Sequence, residues 1–287
     1  MIARCSAAFA ALLVVTPAAV AAGQSAPPTA PDTVVVASSG LRLKALLWRP
    51  AGSGLFPAVL FSHGRSDDAR HTGGLAFVEA AQRLGPAFVE HGYAFLYLFR
   101  RSEGLSRDQG LFIGDIVRRV EASDGEEAGK HMQFVLLTTD HLDDVVAGLS
   151  YLKGLPAIDA QRIAVAGHSF GGQLTLLAAE RDSTVRAAVA FAAAAGSWEG
   201  SSELRERLLT AVRRTTVPVM LVYASNDHSV APGQALAGEL ELVAKPHLLK
   251  IYPPVGHTSD DGHAAVCTAI PRWEEDVFRF LDEHLER

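Results

Sequence analysis

The segment Arg162-Ile-Ala-Val-Ala-Gly-His-Ser-Phe-Gly-Gly172 decides how the rest of the chain is read. Its first half is a short apolar run that suits a buried strand, and the following Gln173-Leu-Thr-Leu-Leu-Ala-Ala-Glu180 suits a helix. Between them stands Gly167-His168-Ser169-Phe170-Gly171, a G-x-S-x-G pattern at a strand-to-helix junction. Such a turn is sharp, so the residues two places either side of the serine must be small. It strains the Ser169 backbone and lifts the hydroxyl above the sheet, while the N-terminus of the next helix offers positive potential to a developing oxyanion. In a chain with 25 glycines the bare string carries little weight. Its place between strand and helix, with Gly171 and Gly172 both present, points to a nucleophile.

Apolar runs recur on either side of this segment, at residues 56–61, 93–99, 185–191, 217–223 and 247–252. Uninterrupted runs of this length fit parallel strands covered on both faces. Helical stripes lie between and after them: Leu142, Val145, Val146, Leu149 and Leu152, then Trp273, Val277, Phe280, Leu281 and Leu285. Strands alternating with helices predict an α/β fold with a mostly parallel central sheet and helices on both faces, in one domain. Residues 102–136 break the rhythm. They are too polar for core and too long for an ordinary connection, so they are expected to form either an inserted lid over a site or a solvent-exposed excursion.

On Ser62-His63-Gly64, on the stretch from Asp159 to Gly172 and on the segments downstream, the chain resembles the α/β-hydrolase superfamily, in particular the broad dienelactone-hydrolase-like group. The resemblance runs from about Pro57 to the end. It implies the α/β-hydrolase fold, Ser-Asp-His acyl-transfer chemistry and no metal or organic cofactor. One position departs from the group: dienelactone hydrolases proper use a cysteine nucleophile where this chain has Ser169. That points away from a dienelactone substrate and towards a serine esterase.

A serine hydroxyl is a poor nucleophile until a histidine takes its proton, and that histidine needs a carboxylate to hold its tautomer. In this fold the acid and then the base follow the serine along the chain. Asp227, just past the 217–223 run, is the acid candidate; the alternative is an Asx-turn residue closing a loop. Two histidines follow the last strand. Plain spacing favours His257, whereas the Gly-His-small pattern Gly262-His263-Ala264, which resembles exported relatives, favours His263. The oxyanion hole is expected from the backbone N–H groups of Phe170 and Arg65. His168 is read as a structural residue turned away from substrate, and His63 as a loop-fixing one. Arg65, Arg100 and Arg101 are expected on the solvated surface or at an anionic substrate group. Trp198 and residues 203–212 form part of the pocket wall or pack on the sheet.

Residues 1–22 carry one charge, Arg4, then an apolar centre and a run of small residues, the parts of a secretory signal peptide. The apolar centre is shorter than the roughly 20 residues a membrane span needs. Residues 23–31 read as a Pro-rich tether, and 32–287 as the domain. Cys5 leaves with the signal, so Cys267 has no partner for a disulfide. An exported bacterial protein, periplasmic or secreted, is expected. The net charge of −6 offers no basic field for nucleic acid. Motifs for zinc proteases, zinc ribbons, P-loops and dinucleotides are missing. The leading expectation is an esterase acting on a small-molecule ester through an acyl-enzyme. A prolyl-oligopeptidase-like serine peptidase and a non-catalytic binding protein of the same fold are the alternatives.

Overall fold

The structure is a computed structural model that describes residues 30–66 and 73–285. The signal-peptide segment and nearly all of the tether lie outside these residues. The chain order is β1 (Asp32–Ser38), β2 (Leu41–Trp48), β3 (Phe56–Ser62), α1 (Gly73–Glu90), β4 (Ala94–Leu98), α2 (Ile113–Asp124), α3 (Glu126–Leu136), α4 (Leu142–Lys153), β5 (Ile158–His168) and α5 (Phe170–Arg181). Then come β6 (Ala187–Phe191), α6 (Ser202–Arg214), β7 (Val219–Ala224), α7 (Ala231–Leu242), β8 (His247–Tyr252), α8 (Ser259–His263), α9 (Ala265–Thr268) and α10 (Ile270–Leu285). The eight strands form one sheet in the order β1-β2-β4-β3-β5-β6-β7-β8. Its β1–β2 and β2–β4 pairs are antiparallel and all the others parallel.

Side chains alternate across the sheet with period two. In β3, Ala58 and Leu60 face one hydrophobic cluster and Val59 and Phe61 the other; in β4, Leu96 and Leu98 oppose Phe95 and Tyr97. Helices α4, α5, α6 and α7 cover the first face through residues such as Leu149, Leu177, Leu208 and Leu240. Helices α1 and α10 cover the second, where Phe88, Trp273 and Phe278 join a stack of aromatic rings. Burial on both faces explains why these strands read as continuous apolar runs.

Residues 102–136 are not an irregular excursion. A short 3₁₀ turn (Gly104–Ser106) is followed by α2 and α3, packed as an antiparallel hairpin around Gly125. A π-helical turn, Leu137–His141, carries the chain on into α4. Among the described residues, no helix is long and apolar enough to cross a membrane.

Candidate active site

At the C-terminal end of β5 the backbone turns on Ser169, which sits at φ 55°, ψ −116°, a region that non-glycine residues rarely occupy. The neighbouring glycines make the turn possible. A Cβ on Gly171 would stand 1.9 Å from the Ser62 carbonyl oxygen, and one on Gly167 would stand 2.4 Å from the Gly171 oxygen. Backbone therefore packs on backbone, and the first turn of α5 is wedged against the end of β3. A Cβ on Gly64 would lie 3.5 Å from the Ser169 Cβ, so the loop after β3 reaches the serine directly.

That loop is held from below by Arg100. The sequence reading put this arginine in solvent or at a substrate anion; instead it is fully buried. Its Nη1 donates to Ser62 Oγ at 2.7 Å and to the His63 carbonyl at 2.6 Å, and its Nη2 donates to the Gly64 carbonyl at 2.7 Å. Its guanidinium carbon also lies 5.4 Å from the centre of the Phe170 ring. Strand-end carbonyls need donors when buried, and a guanidinium supplies several in one plane. Burial draws its pKa down to about 10, which leaves it cationic at neutral pH. Arg101 is likewise not free: its Nε and Nη2 donate to the buried Asp144 carboxylate at 3.0 and 2.8 Å.

His63 fixes the same loop. Its Nδ1–H donates to the Gly64 carbonyl at 2.6 Å, and its Nε2 accepts the Arg100 backbone N–H at 3.3 Å. Burial, and then the Arg100 charge, hold it neutral. With the Gly64 carbonyl held by two donors across a trans peptide, the Arg65 N–H points to the opposite side of that peptide.

Asp227 follows β7, and its side chain is fully buried. His263 closes α8, and its Nδ1–H donates to Asp227 Oδ1 at 2.7 Å. The same oxygen accepts the His228 backbone N–H at 2.7 Å, and Asp227 Oδ2 is buried without a partner. His257 is not brought to Asp227. It is exposed, and its backbone N–H donates to Asp261 Oδ2 at 2.9 Å. The spacing argument that favoured His257 misses a staple. Asn226 donates to the Val255 and Thr258 carbonyls at 2.8 and 2.7 Å and accepts from the Val255 N–H at 2.9 Å. Thr258 and Asp261 then form a capping box that starts α8. Together these turn the chain so that the residue after Gly262 meets Asp227. Gly262 is needed because a Cβ there would lie 2.7 Å from the Asn226 backbone. The sequence reading gives Asn226 no role; its signal is an amide-bearing turn residue directly before the acid candidate Asp227.

His168 ties the two halves of the site together. Its Nε2–H donates to the His263 carbonyl at 2.8 Å, and the two rings lie 4.7 Å apart. Burial, and then the neighbouring His263, push its pKa down to about 3. The backbone of His263 is thus anchored to the residue before Ser169. Asp227, His228 and His263 also present ligand atoms within 4.8 Å of one another, a spacing that a cation could use. Two of those residues already share the hydrogen bond between His263 Nδ1 and Asp227 Oδ1.

A cavity of about 230 Å³ opens beside this constellation, lined by Arg65, Phe134, Leu137, Gln173, Gly196 and Leu204, among others. Residues 102–136 therefore supply part of a cavity wall, through α3. Trp198 is buried, and α6 closes the cavity through Leu204.

The model of the dienelactone hydrolase family matches residues 73–284. The chain belongs to that family. It is 25% identical over 234 residues to the quorum-quenching protein AidA of Acinetobacter baumannii, covering 81% of this chain and 61% of that one. The chain thus spans less than two thirds of that relative's length. Among solved structures, a dienelactone hydrolase from Anabaena variabilis superposes with a TM-score of 0.60 at 18% identity, covering 90% of this chain and 100% of the other. The acylaminoacyl peptidase of Pyrococcus horikoshii superposes with a TM-score of 0.65 at 16% identity, over 91% of this chain and 43% of its own. Identities this low bear on fold alone. They agree with the parallel sheet and its crossovers, and the chain has the α/β-hydrolase fold.

Proposed function

We propose that this family member is a serine hydrolase that cleaves carboxylic esters of small molecules through an acyl-enzyme. The observation that carries the reading is the 2.7 Å hydrogen bond from His263 to the buried Asp227, with the His263 backbone anchored beside Ser169. Asp227 holds His263 with Nε2 free to take the Ser169 proton, and stabilises the imidazolium that results. Ser169 Oγ attacks the acyl carbon, and the Phe170 and Arg65 N–H groups receive the oxyanion. The buried Arg100 fixes the loop that carries the second donor and adds positive potential beneath it. His263 then protonates the leaving alcohol, activates a water, and returns Ser169 on deacylation. No step requires a metal or organic cofactor. The pattern of residues 1–22 supports reading them as a secretion signal, and with it an enzyme exported to the bacterial periplasm or beyond.

Intact-mass analysis after treatment with a fluorophosphonate tests the reading, using the wild-type protein and the Ser169→Ala, His257→Ala and His263→Ala variants. Stoichiometric labelling that is lost in Ser169→Ala and His263→Ala but kept in His257→Ala is expected. A folded wild type that takes no label overturns the hydrolase reading and favours a non-catalytic binding protein. Labelling with turnover of N-acylpeptides but not of esters favours the peptidase alternative.

A further inference from the structure

Gln173 lies one helical turn beyond Ser169 on α5, and its backbone N–H donates to the Ser169 carbonyl at 3.1 Å. Gln173 is 3% exposed. Its Nε2 donates to Ser197 Oγ at 3.0 Å, while its Oε1 is buried with no partner. A buried amide oxygen without a donor is uncommon in folded proteins, because it has given up water for nothing. This one belongs to a side chain that lines the cavity of about 230 Å³. Phe134 and Leu137 on the insertion side and Leu204 on α6 give the wall its apolar surface, beside the polar Lys130, Gln133 and Ser201.

At its Gly196 end the cavity meets the His228 ring rather than the base itself. A Cβ on Gly196, one of its lining residues, would stand 3.8 Å from the His228 ring, and that ring lies 4.7 Å from the ring of His263. In the proposed reaction the leaving alcohol must depart on the His263 side, because His263 delivers its proton. The acyl portion left on Ser169 therefore extends the other way, along α5 and past Arg65.

The geometry points to this cavity as the acyl subsite, with Gln173 Oε1 as its specificity contact: a mostly apolar acyl group carrying one N–H or O–H donor, as in hydroxyacyl or N-acylaminoacyl esters. This inference rests on the ester-hydrolase reading of the same site. A substrate that supplies the donor satisfies a buried acceptor, and one that lacks it leaves that acceptor unpaired in a drier site.

The test compares kcat/KM for two pairs of p-nitrophenyl esters, each rate divided by the spontaneous hydroxide rate of the same ester. One pair is the 3-hydroxybutanoate and the butanoate. The other is the N-acetylglycinate and the N-acetylsarcosinate, whose N-methyl group removes the donor. Wild type is expected to prefer the donor-bearing member of at least one pair by roughly 10–100-fold, and which pair responds tells a hydroxyl from an amide. Gln173→Leu is expected to bring that ratio to within about threefold of unity, and Gln173→Glu, which keeps an acceptor, to retain a preference. Hydrolysis of all four esters without a preference in wild type overturns the subsite but spares the hydrolase, and means that water serves Oε1. A preference that survives Gln173→Leu overturns it as well. Failure to turn over any ester or to take up fluorophosphonate removes the ester-hydrolase reading and the subsite with it.

Discussion

Helix α5 and the α2–α3 hairpin border the same cavity and are built in opposite ways. Every residue of α5 from Phe170 to Ala179 is buried, and its first turn meets β3 backbone on backbone. In the hairpin only Ile113, Gly114 and Gly129 are buried. Its ion pairs, Arg118–Asp115 and Lys130 with Glu126 and Glu127, lie in solvent, where such pairs contribute about 0–1 kcal/mol. The proposed nucleophile therefore sits at the head of an element with no room to change, and part of the cavity wall sits on one that tolerates change. A strained Ser169 needs surroundings that over-determine its backbone. A wall that selects substrates needs only shape and a few polar contacts.

Four experiments bear on this contrast. The largest effect is expected from Asp227→Asn, which leaves packing nearly intact but presents the wrong hydrogen-bond partner to His263. Steady-state ester hydrolysis is expected to slow by roughly 10³–10⁴-fold; a loss smaller than tenfold would remove Asp227 from the acid role. Next, Gly171→Ala is expected to destabilise the fold by roughly 3–5 kcal/mol in urea denaturation, because its methyl would meet the Ser62 and His63 carbonyls. Gly129→Ala in the hairpin meets only the Glu121 side chain and backbone, at 3.0 Å or more, and gains helix propensity, so a change within about 1 kcal/mol is expected. Equal losses at the two glycines would erase the distinction between the regions.

Arg100→Met keeps the length of the side chain but removes every donor to the β3 loop. A fall in kcat of roughly 10–100-fold with little change in KM is expected, smaller than the loss of a whole oxyanion donor. An effect on KM alone would instead make Arg100 a ground-state binding residue. The smallest effect is on pH dependence. His63, His141 and His168 are all buried around the elbow with depressed pKa values, that of His168 at about 3. Unfolded histidine titrates near 6.5. Below that pH the unfolded chain binds protons that the native state refuses, so stability is full above about 6.5 and falls on acidification towards pH 3. The slope is about 1.4 kcal/mol per pH unit for each histidine. Urea midpoints at pH 7.5 and 5 measure it, and His168→Gln is expected to remove one histidine's share. A midpoint as high at pH 5 as at 7.5 would contradict the neutral, buried assignment.

The chain itself determined the layered fold, the sharp turn at Ser169 and the place of the proposed acid, because each is written locally. Doubly covered strands read as apolar runs, the elbow demands glycines at fixed offsets from Ser169, and Asp227 follows directly from the end of a strand. Tertiary structure decided the rest. In β1 one face is exposed, the apolar runs of β1 and β2 (residues 34–37 and 45–48) are only four residues long, and α2 and α3 are polar enough to pass for loop. Whether His257 or His263 meets Asp227 depends on the Asn226 staple, whose hydrogen bonds span about thirty residues of sequence. Arg100 at a strand end reads as a surface charge until the carbonyls of Ser62's neighbours, His63 and Gly64, are seen to need donors. The unpaired oxygen of Gln173 is invisible for the same reason. Periodicity records which face of an element is buried, but the partner of a buried polar group is chosen by chain segments that meet only once the fold has closed.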